Sequence, residues 1–397
     1  MHPLEVVDGG DPRAVAVALR RALAHEGPAV LPRDPQADDL FGAELPHEVP
    51  TAVSLVIETS GSSGAAKRVA LSADALLASA AASEGVLGGP GQWLLALPTH
   101  YIAGVQVLVR SIAAGTEPVI QPLGHFTPEL FAALAGRLEA PLRFSSLVPA
   151  QLARLVEAGE QDAGIRRAVA RFDKLLVGGQ ALPDPLHERA TALGYTVVRT
   201  YGASETAGGC VYDGRPIGRT VARITDGEIE LSGPSLAEGY LDDDELSLRS
   251  FRTEGGVRWY RTADAGTVID GVLRVTGRVD NVIISGGVKV SLDRVERIVQ
   301  GVPGYEEAVV VGRDDERWGQ VAVVVVADAG TASEVHAAEL RHLRTIVAEA
   351  AGRPAAPAGI LRLAELPRLS SGKPDRRAIA GSLVVPTADS KLPPIRS

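Results

Sequence analysis

The chain has 397 residues, 45% of them hydrophobic and only 4% aromatic. That is enough for two or three domains of roughly 100–200 residues, with cores built from Ala, Val and Leu. The net charge of −9 argues against a nucleic-acid binder but leaves room for a local polyphosphate site. Cys210 is the only cysteine, which excludes an internal disulfide and a cysteine zinc site. No signal peptide and no long apolar run is visible, so a cytoplasmic protein with no membrane partner is expected.

Residues 1–50 hold one predicted helix, 14–25, and a Pro/Asp-rich connector. Short apolar runs then alternate with helical stretches: strand 53–57, helix 74–84 with Ser72 near its start, strand 93–97, helix 105–112, and strands 118–121, 142–145 and 174–177 with helices between. This alternation predicts α/β layers around a largely parallel sheet. After Arg199 the predicted strands 228–231, 257–260, 266–269 and 272–275 are parted by turn residues, as in a small β-rich subdomain. From Val282 the order is strand, helix 292–299, strands 308–312 and 321–327, helix 332–349 and strand, an α+β domain. The expected boundaries are 1–279, 280–380 and a disordered tail over 381–397.

Only five of the 40 basic residues are lysines, and three of these sit in glycine-marked segments. Lysine is a compact mobile charge, suited to a phosphate or a reacting carboxylate. In the first segment Thr59, Ser60, Gly61, Ser62, Ser63 and Gly64 lead to Lys67. Glycines let backbone N–H groups converge on an anion, and hydroxyls add donors. It is not a Walker loop, since Arg68 stands where Ser or Thr is required; a surface turn is the other reading. Further on, Tyr201 and Gly202 precede Glu205 and Thr206. A carboxylate there could hold Mg²⁺, or simply open a helix. Next, Asp264 could grip a ribose diol with Arg278 beside it, or form a structural ion pair. Finally Lys373, after Gly372, could stabilise charge developing between a carboxylate and an α-phosphate, or be a solvated tail residue.

In this order the segments resemble the adenylate-forming superfamily over about 53–377. The resemblance implies two steps: a carboxylate attacks MgATP to give an acyl-adenylate, and a thiol, usually coenzyme A, displaces AMP. It implies that residues 59–67 bind phosphates, with Ser62, Ser63 and Ala66 departing from the usual T-S-G-T-T-G-x-P-K. Gly178, Gly179 and Gln180 would lie along adenine and the acyl pocket. Tyr201 would stack on adenine, Thr206 contact the α-phosphate, Glu205 bind Mg²⁺, and Asp264 bind the ribose, with Ala263 where the family has Gly. Asp280 would be the hinge of a mobile C-terminal domain. Lys373 would serve adenylation, and Gly286, Gly287 and Lys289 thioester formation. The gating segment departs from the usual pattern: Tyr101 takes the usual His position and His100 comes one earlier.

The short N-terminal part, with His100 to Arg110, Ser145 to Leu152 and Leu175 to Gly179, looks like the o-succinylbenzoate–CoA ligases of menaquinone biosynthesis, in their short actinobacterial form. That substrate has a second carboxylate, which must be solvated or paired. His100, Tyr101, Ser145, Ser146, Gln106 and the Gly208 and Gly209 backbone are the candidate donors. Arg110 and Arg143 are candidate counter-charges, with surface salt bridges as the alternative. Another acyl- or aryl-CoA ligase, a free-standing adenylation enzyme and a non-catalytic nucleotide-binding relative are the competing readings. The expected partners are small molecules, and a homodimer is left open.

Overall fold

A computed structural model describes residues 1–34, 45–60, 66–122, 124–327, 333–368 and 374–383. Two sheets dominate the first part of the chain. One has six strands in the order Gly239–Tyr240, Ala66–Ser72, Val53–Ser60, Ala29–Arg33, His2–Asp8 and Glu48–Val49. The other has seven, in the order Arg215–Pro216, Gly208–Tyr212, Val197–Ala203, Lys174–Val177, Arg143–Leu147, Gln92–Leu95 and Val119–Ile120. Its last five strands run parallel. Parallel strands are buried on both faces, which is why they read as apolar runs.

The helices Pro12–Leu23, Ala73–Leu87 and Ile102–Ala114 share one core with both sheets. Side chains alternate along a strand. Trp93 and Leu95 therefore enter that shared core, while Leu94 enters a second core on the far face, with Phe131, Leu155 and Leu175. Ser72 caps Ala73–Leu87, accepting from the Ala75 N–H at 3.4 Å, and Gly88 ends the helix in the left-handed region.

A third sheet is antiparallel and contains Val221–Thr225, Glu228–Ser232, Val257–Ile269, Phe251–Glu254 and Val272–Arg278. Where two separate strands are predicted over 257–269, there is one of 13 residues, bulged between Ala265 and Gly266. A bulge keeps a strand paired while it bends. The last sheet contains Val288–Ser291, Val282–Ser285, Gly319–Ala327, Val309–Asp315 and Gly359–Leu363. It packs with Leu292–Gln300 and Ser333–Ala351 around Val295, Val299, Val324, Leu343 and Val347. The fold is thus α/β, with layered sheets and a small β-rich unit, followed by a smaller α+β unit. Two early strands, His2–Asp8 and Ala29–Arg33, are absent from the sequence-based reading. The helix Arg376–Ser382 extends into the segment expected to be a tail, because Asp375 caps it and Ile379 is buried.

Candidate active site

Two clusters form where the first three sheets approach each other. In the first, the Tyr201 hydroxyl donates to Asp264 Oδ2 at 2.7 Å. The Arg278 guanidinium lies 3.6 Å from Asp264 Oδ1, and makes a fork with Asp280 through Nε–Oδ1 at 2.7 Å and Nη2–Oδ2 at 3.1 Å. The strand pair that places Asp264 opposite Arg278 sets this up. Ala263 has a φ of +58°, and its N–H donates to Glu228 Oε1 at 2.9 Å. That left-handed kink sits immediately before Asp264, and it is a backbone conformation that favours glycine, the residue the resemblance implies here. Burial raises the Asp264 carboxyl, while the Tyr201 hydrogen bond and Arg278 pull it back. Burial, and then the Asp264 charge, push the Tyr201 hydroxyl up, so it stays a donor.

The second cluster is built on the turn after Val197–Ala203. A 3₁₀ turn, Ser204–Thr206, is closed by the Thr206 hydroxyl, which donates to Gly208 O at 2.7 Å and accepts from the Ala203 N–H at 2.9 Å. The Ser79 hydroxyl ties Ala207 O to the helix Ala73–Leu87 at 2.9 Å. Gly202 allows the return strand to approach, since a Cβ there would stand 2.1 Å from Gly208 O. Glu205 is buried, and Tyr240 donates to its Oε1 at 2.7 Å. Lys67 Nζ lies 5.5 Å from the centroid of the same Tyr240 ring. Tyr240 thus joins a glycine-marked lysine to the buried carboxylate. Nothing in the sequence pattern singles it out, because its strand is only two residues long.

The sequence model of the AMP-binding enzymes matches residues 11–241, and that of the AMP-binding enzyme C-terminal domain matches residues 294–373. The chain belongs to the AMP-binding enzyme family. One AMP-binding relative, named "Probable 2-succinylbenzoate--CoA ligase" of Mycobacterium tuberculosis, is 39% identical over 388 residues, covering 96% of this chain and 97% of that relative. The 2-succinylbenzoate–CoA ligase of Salmonella typhimurium is 33% identical over 71% of this chain and 59% of its own length. Among solved structures, an E. coli MenE variant with bound OSB-AMS matches with a TM-score of 0.71 and 25% identity, over 92% of this chain and 84% of that one.

The remaining expected residues fall in several places. Thr59, Ser60 and Lys67 lie on paired strands, Thr59 opposite Lys67, so the expected loop is in part a hairpin. Gly61, Ser62, Ser63, Gly64 and Lys373 lie outside the described residues. Arg68 pairs with Glu58 at 3.2 Å, an ion pair in place of a Walker hydroxyl. Gly178, Gly179 and Gln180 follow the strand Lys174–Val177 directly, and Gly179 is exposed. Ser145 is fully buried and donates to Leu94 O at 2.8 Å, so its hydroxyl belongs to the sheet. Ser146, beside it, is also buried. The His100 ring is 4.3 Å from the Tyr101 ring and 3.8 Å from Asp34; burial lowers its pKa and Asp34 partly restores it. Gly208 and Gly209 open the strand beside Thr206.

Arg110 departs from the alternative reading given above, a surface salt bridge. It is 7% exposed, lies 5.0 Å from the Trp93 ring and donates to Tyr212 at 3.4 Å, with no carboxylate partner among the described residues. Arg143 instead holds Ala140 O at 3.1 Å. Gly286 and Gly287, with φ of +55° and +80°, form the hairpin turn before Lys289, and Gly286 donates to Trp318 O at 2.9 Å. Cys210 is buried and its thiol is pushed up to about 12, which removes it as a nucleophile. Among the described residues no group of three or more His, Cys, Asp or Glu could hold a metal. Glu205 retains Oε2 beyond the Tyr240 bond. One free carboxylate oxygen fits an Mg²⁺ that takes its other ligands from phosphates and water.

Proposed function

We propose that the protein joins o-succinylbenzoate to coenzyme A with ATP, giving o-succinylbenzoyl-CoA, AMP and pyrophosphate, a step of menaquinone biosynthesis in the cytoplasm. The observation that carries this reading is the 39% identity to a named ligase across 96% of this chain and 97% of that relative. In the first step a carboxylate oxygen of the acid attacks the α-phosphorus and pyrophosphate leaves. In the second, the coenzyme A sulfur attacks the acyl carbon, AMP leaves, and the thiol proton goes to solvent.

The clusters support roles for particular residues. Asp264, set by Tyr201 and Arg278, is suited to accept from the ribose hydroxyls. The Tyr201 ring offers its face to adenine. Lys67, and Lys373 in the first step, bring positive charge to the phosphates. The Thr206 hydroxyl is spent on its turn, so its part is to fix the Glu205 backbone beside the α-phosphate. Glu205 would hold Mg²⁺, which neutralises phosphate charge when bound. Arg110 is a buried cation with no acid beside it among the described residues, which suits the second carboxylate of the substrate. The hairpin of Gly286, Gly287 and Lys289 serves the second step after rotation at Asp280, and the domain boundary at 279 and 280 is part of the same proposal.

The test is thioester formation from o-succinylbenzoate, MgATP and coenzyme A, beside benzoate, malonate and a fatty acid. A coenzyme A thioester with o-succinylbenzoate alone supports the reading. Turnover of another acid with none of this one would discard the substrate and keep the chemistry.

A further inference from the structure

The helix Ile102–Ala114 carries a second buried polar residue that the roles above leave unused. Gln106 is 1% exposed, and neither Nε2 nor Oε1 has a hydrogen-bond partner among the described residues. Leaving both halves of an amide unpaired inside a protein is costly. Such a residue calls for a partner that the described residues do not supply.

Its position says where that something would sit. Gln106 and Arg110 are four apart and share one helix face. Gln106 faces Gly208, where a Cβ would stand 3.2 Å from Gln106 Cγ and 3.9 Å from Ile102. Gly208 has a φ of +94°, and its carbonyl accepts from Thr206. The amide therefore lies between the turn that carries Glu205 and the buried Arg110 guanidinium. An acid activated near Thr206, with its second carboxylate at Arg110, would pass Gln106 midway.

We propose that Gln106 is a specificity-determining residue that donates from Nε2 to the keto oxygen of an aryl keto acid; this rests on the o-succinylbenzoate reading above. A neutral buried amide is a poor partner for a full charge and a good one for a neutral carbonyl. The keto group of o-succinylbenzoate lies between its two carboxylates, as Gln106 lies between the two ends of the site.

The test compares o-succinylbenzoate with its methylene analogue, 2-(3-carboxypropyl)benzoate, on the parent and on Gln106→Leu. The parent is expected to favour the keto acid in kcat/KM by roughly 10- to 100-fold. Gln106→Leu is expected to lose that preference, falling on the keto acid and holding its rate on the analogue. Gln106→Met repeats the comparison should the Leu variant fold poorly. Equal losses on both acids would mark Gln106 as structural and overturn the proposal, as would a parent that does not discriminate. A parent that turns over other acids but not o-succinylbenzoate overturns the functional reading itself, an outcome seen separately from the variant's behaviour.

Discussion

Tyr240→Phe isolates the bond between Tyr240 and Glu205. The substitution removes one oxygen and leaves the ring, with its contact to Phe251 at 6.0 Å between centroids and to Lys67 at 5.5 Å. Packing and cation–π attraction are therefore preserved, and the lost element is the 2.7 Å hydrogen bond to Glu205 Oε1. A hydrogen bond to a charged group contributes about 1.5–3 kcal/mol, and each ~1.4 kcal/mol is a factor of ten. If Glu205 holds the metal, the cost appears as a ~10- to 150-fold weaker grip or slower adenylation. Burial, and then the Glu205 charge, raise the Tyr240 hydroxyl above its usual value, so it donates throughout the working pH range. The assay is o-succinylbenzoate-dependent pyrophosphate release across an Mg²⁺ titration, with circular dichroism to establish folding. The half-saturating Mg²⁺ should rise, with partial recovery at high Mg²⁺ and an unchanged KM for the acid. A folded variant with the parent's Mg²⁺ curve would refute the coupling of Tyr240 to the metal site through Glu205.

Three other outcomes are expected. Ala263→Gly should raise stability by up to about 1 kcal/mol, since alanine at a φ of +58° carries strain that glycine does not; thermal unfolding measures it. His100 has its pKa lowered from 6.5 by burial, more than Asp34 restores. The unfolded chain therefore protonates first on acidification. The stabilising contribution is complete above about pH 6.5 and is lost as pH falls toward the folded value. His100→Gln should flatten the fall in melting temperature between pH 7 and pH 5.5; an identical fall in both proteins would contradict this. Lys373→Ala should slow adenylation severely and leave thioester formation from supplied acyl-adenylate nearly intact, as stopped-flow of the separate half-reactions would show.

What the sequence makes legible follows from how each element is stabilised. The helix Ala73–Leu87 is visible because Ser72 and Gly88 punctuate it, and Lys174–Val177 because its alternating faces are both apolar. The strands His2–Asp8 and Ala29–Arg33 are not visible, because their pairing partners are supplied by distant chain. The 13-residue strand Val257–Ile269 looks like two, because its bulge and the Ala263 kink interrupt the alternation. In the site, Tyr201 and Asp264 are 63 residues apart in sequence, yet the structure brings both together with Arg278. Tyr240, the unpaired amide of Gln106 and the burial of Arg110 are tertiary facts: no local pattern says that a tyrosine will find a carboxylate 35 residues away, or that an arginine will find none among the described residues.

Arg278 is shared between Asp264 and Asp280. One guanidinium has a fixed set of donors, so whatever draws it toward one carboxylate is taken from the other. Substitutions at the two aspartates should therefore be epistatic, with the effect of either depending on whether the other is present. If Asp280 is the hinge and Asp264 the ribose ligand, as proposed above, a variant selected for a looser hinge would carry an altered hold on nucleotide as a side effect. Redesign of either property alone has to begin by giving each aspartate a cation of its own.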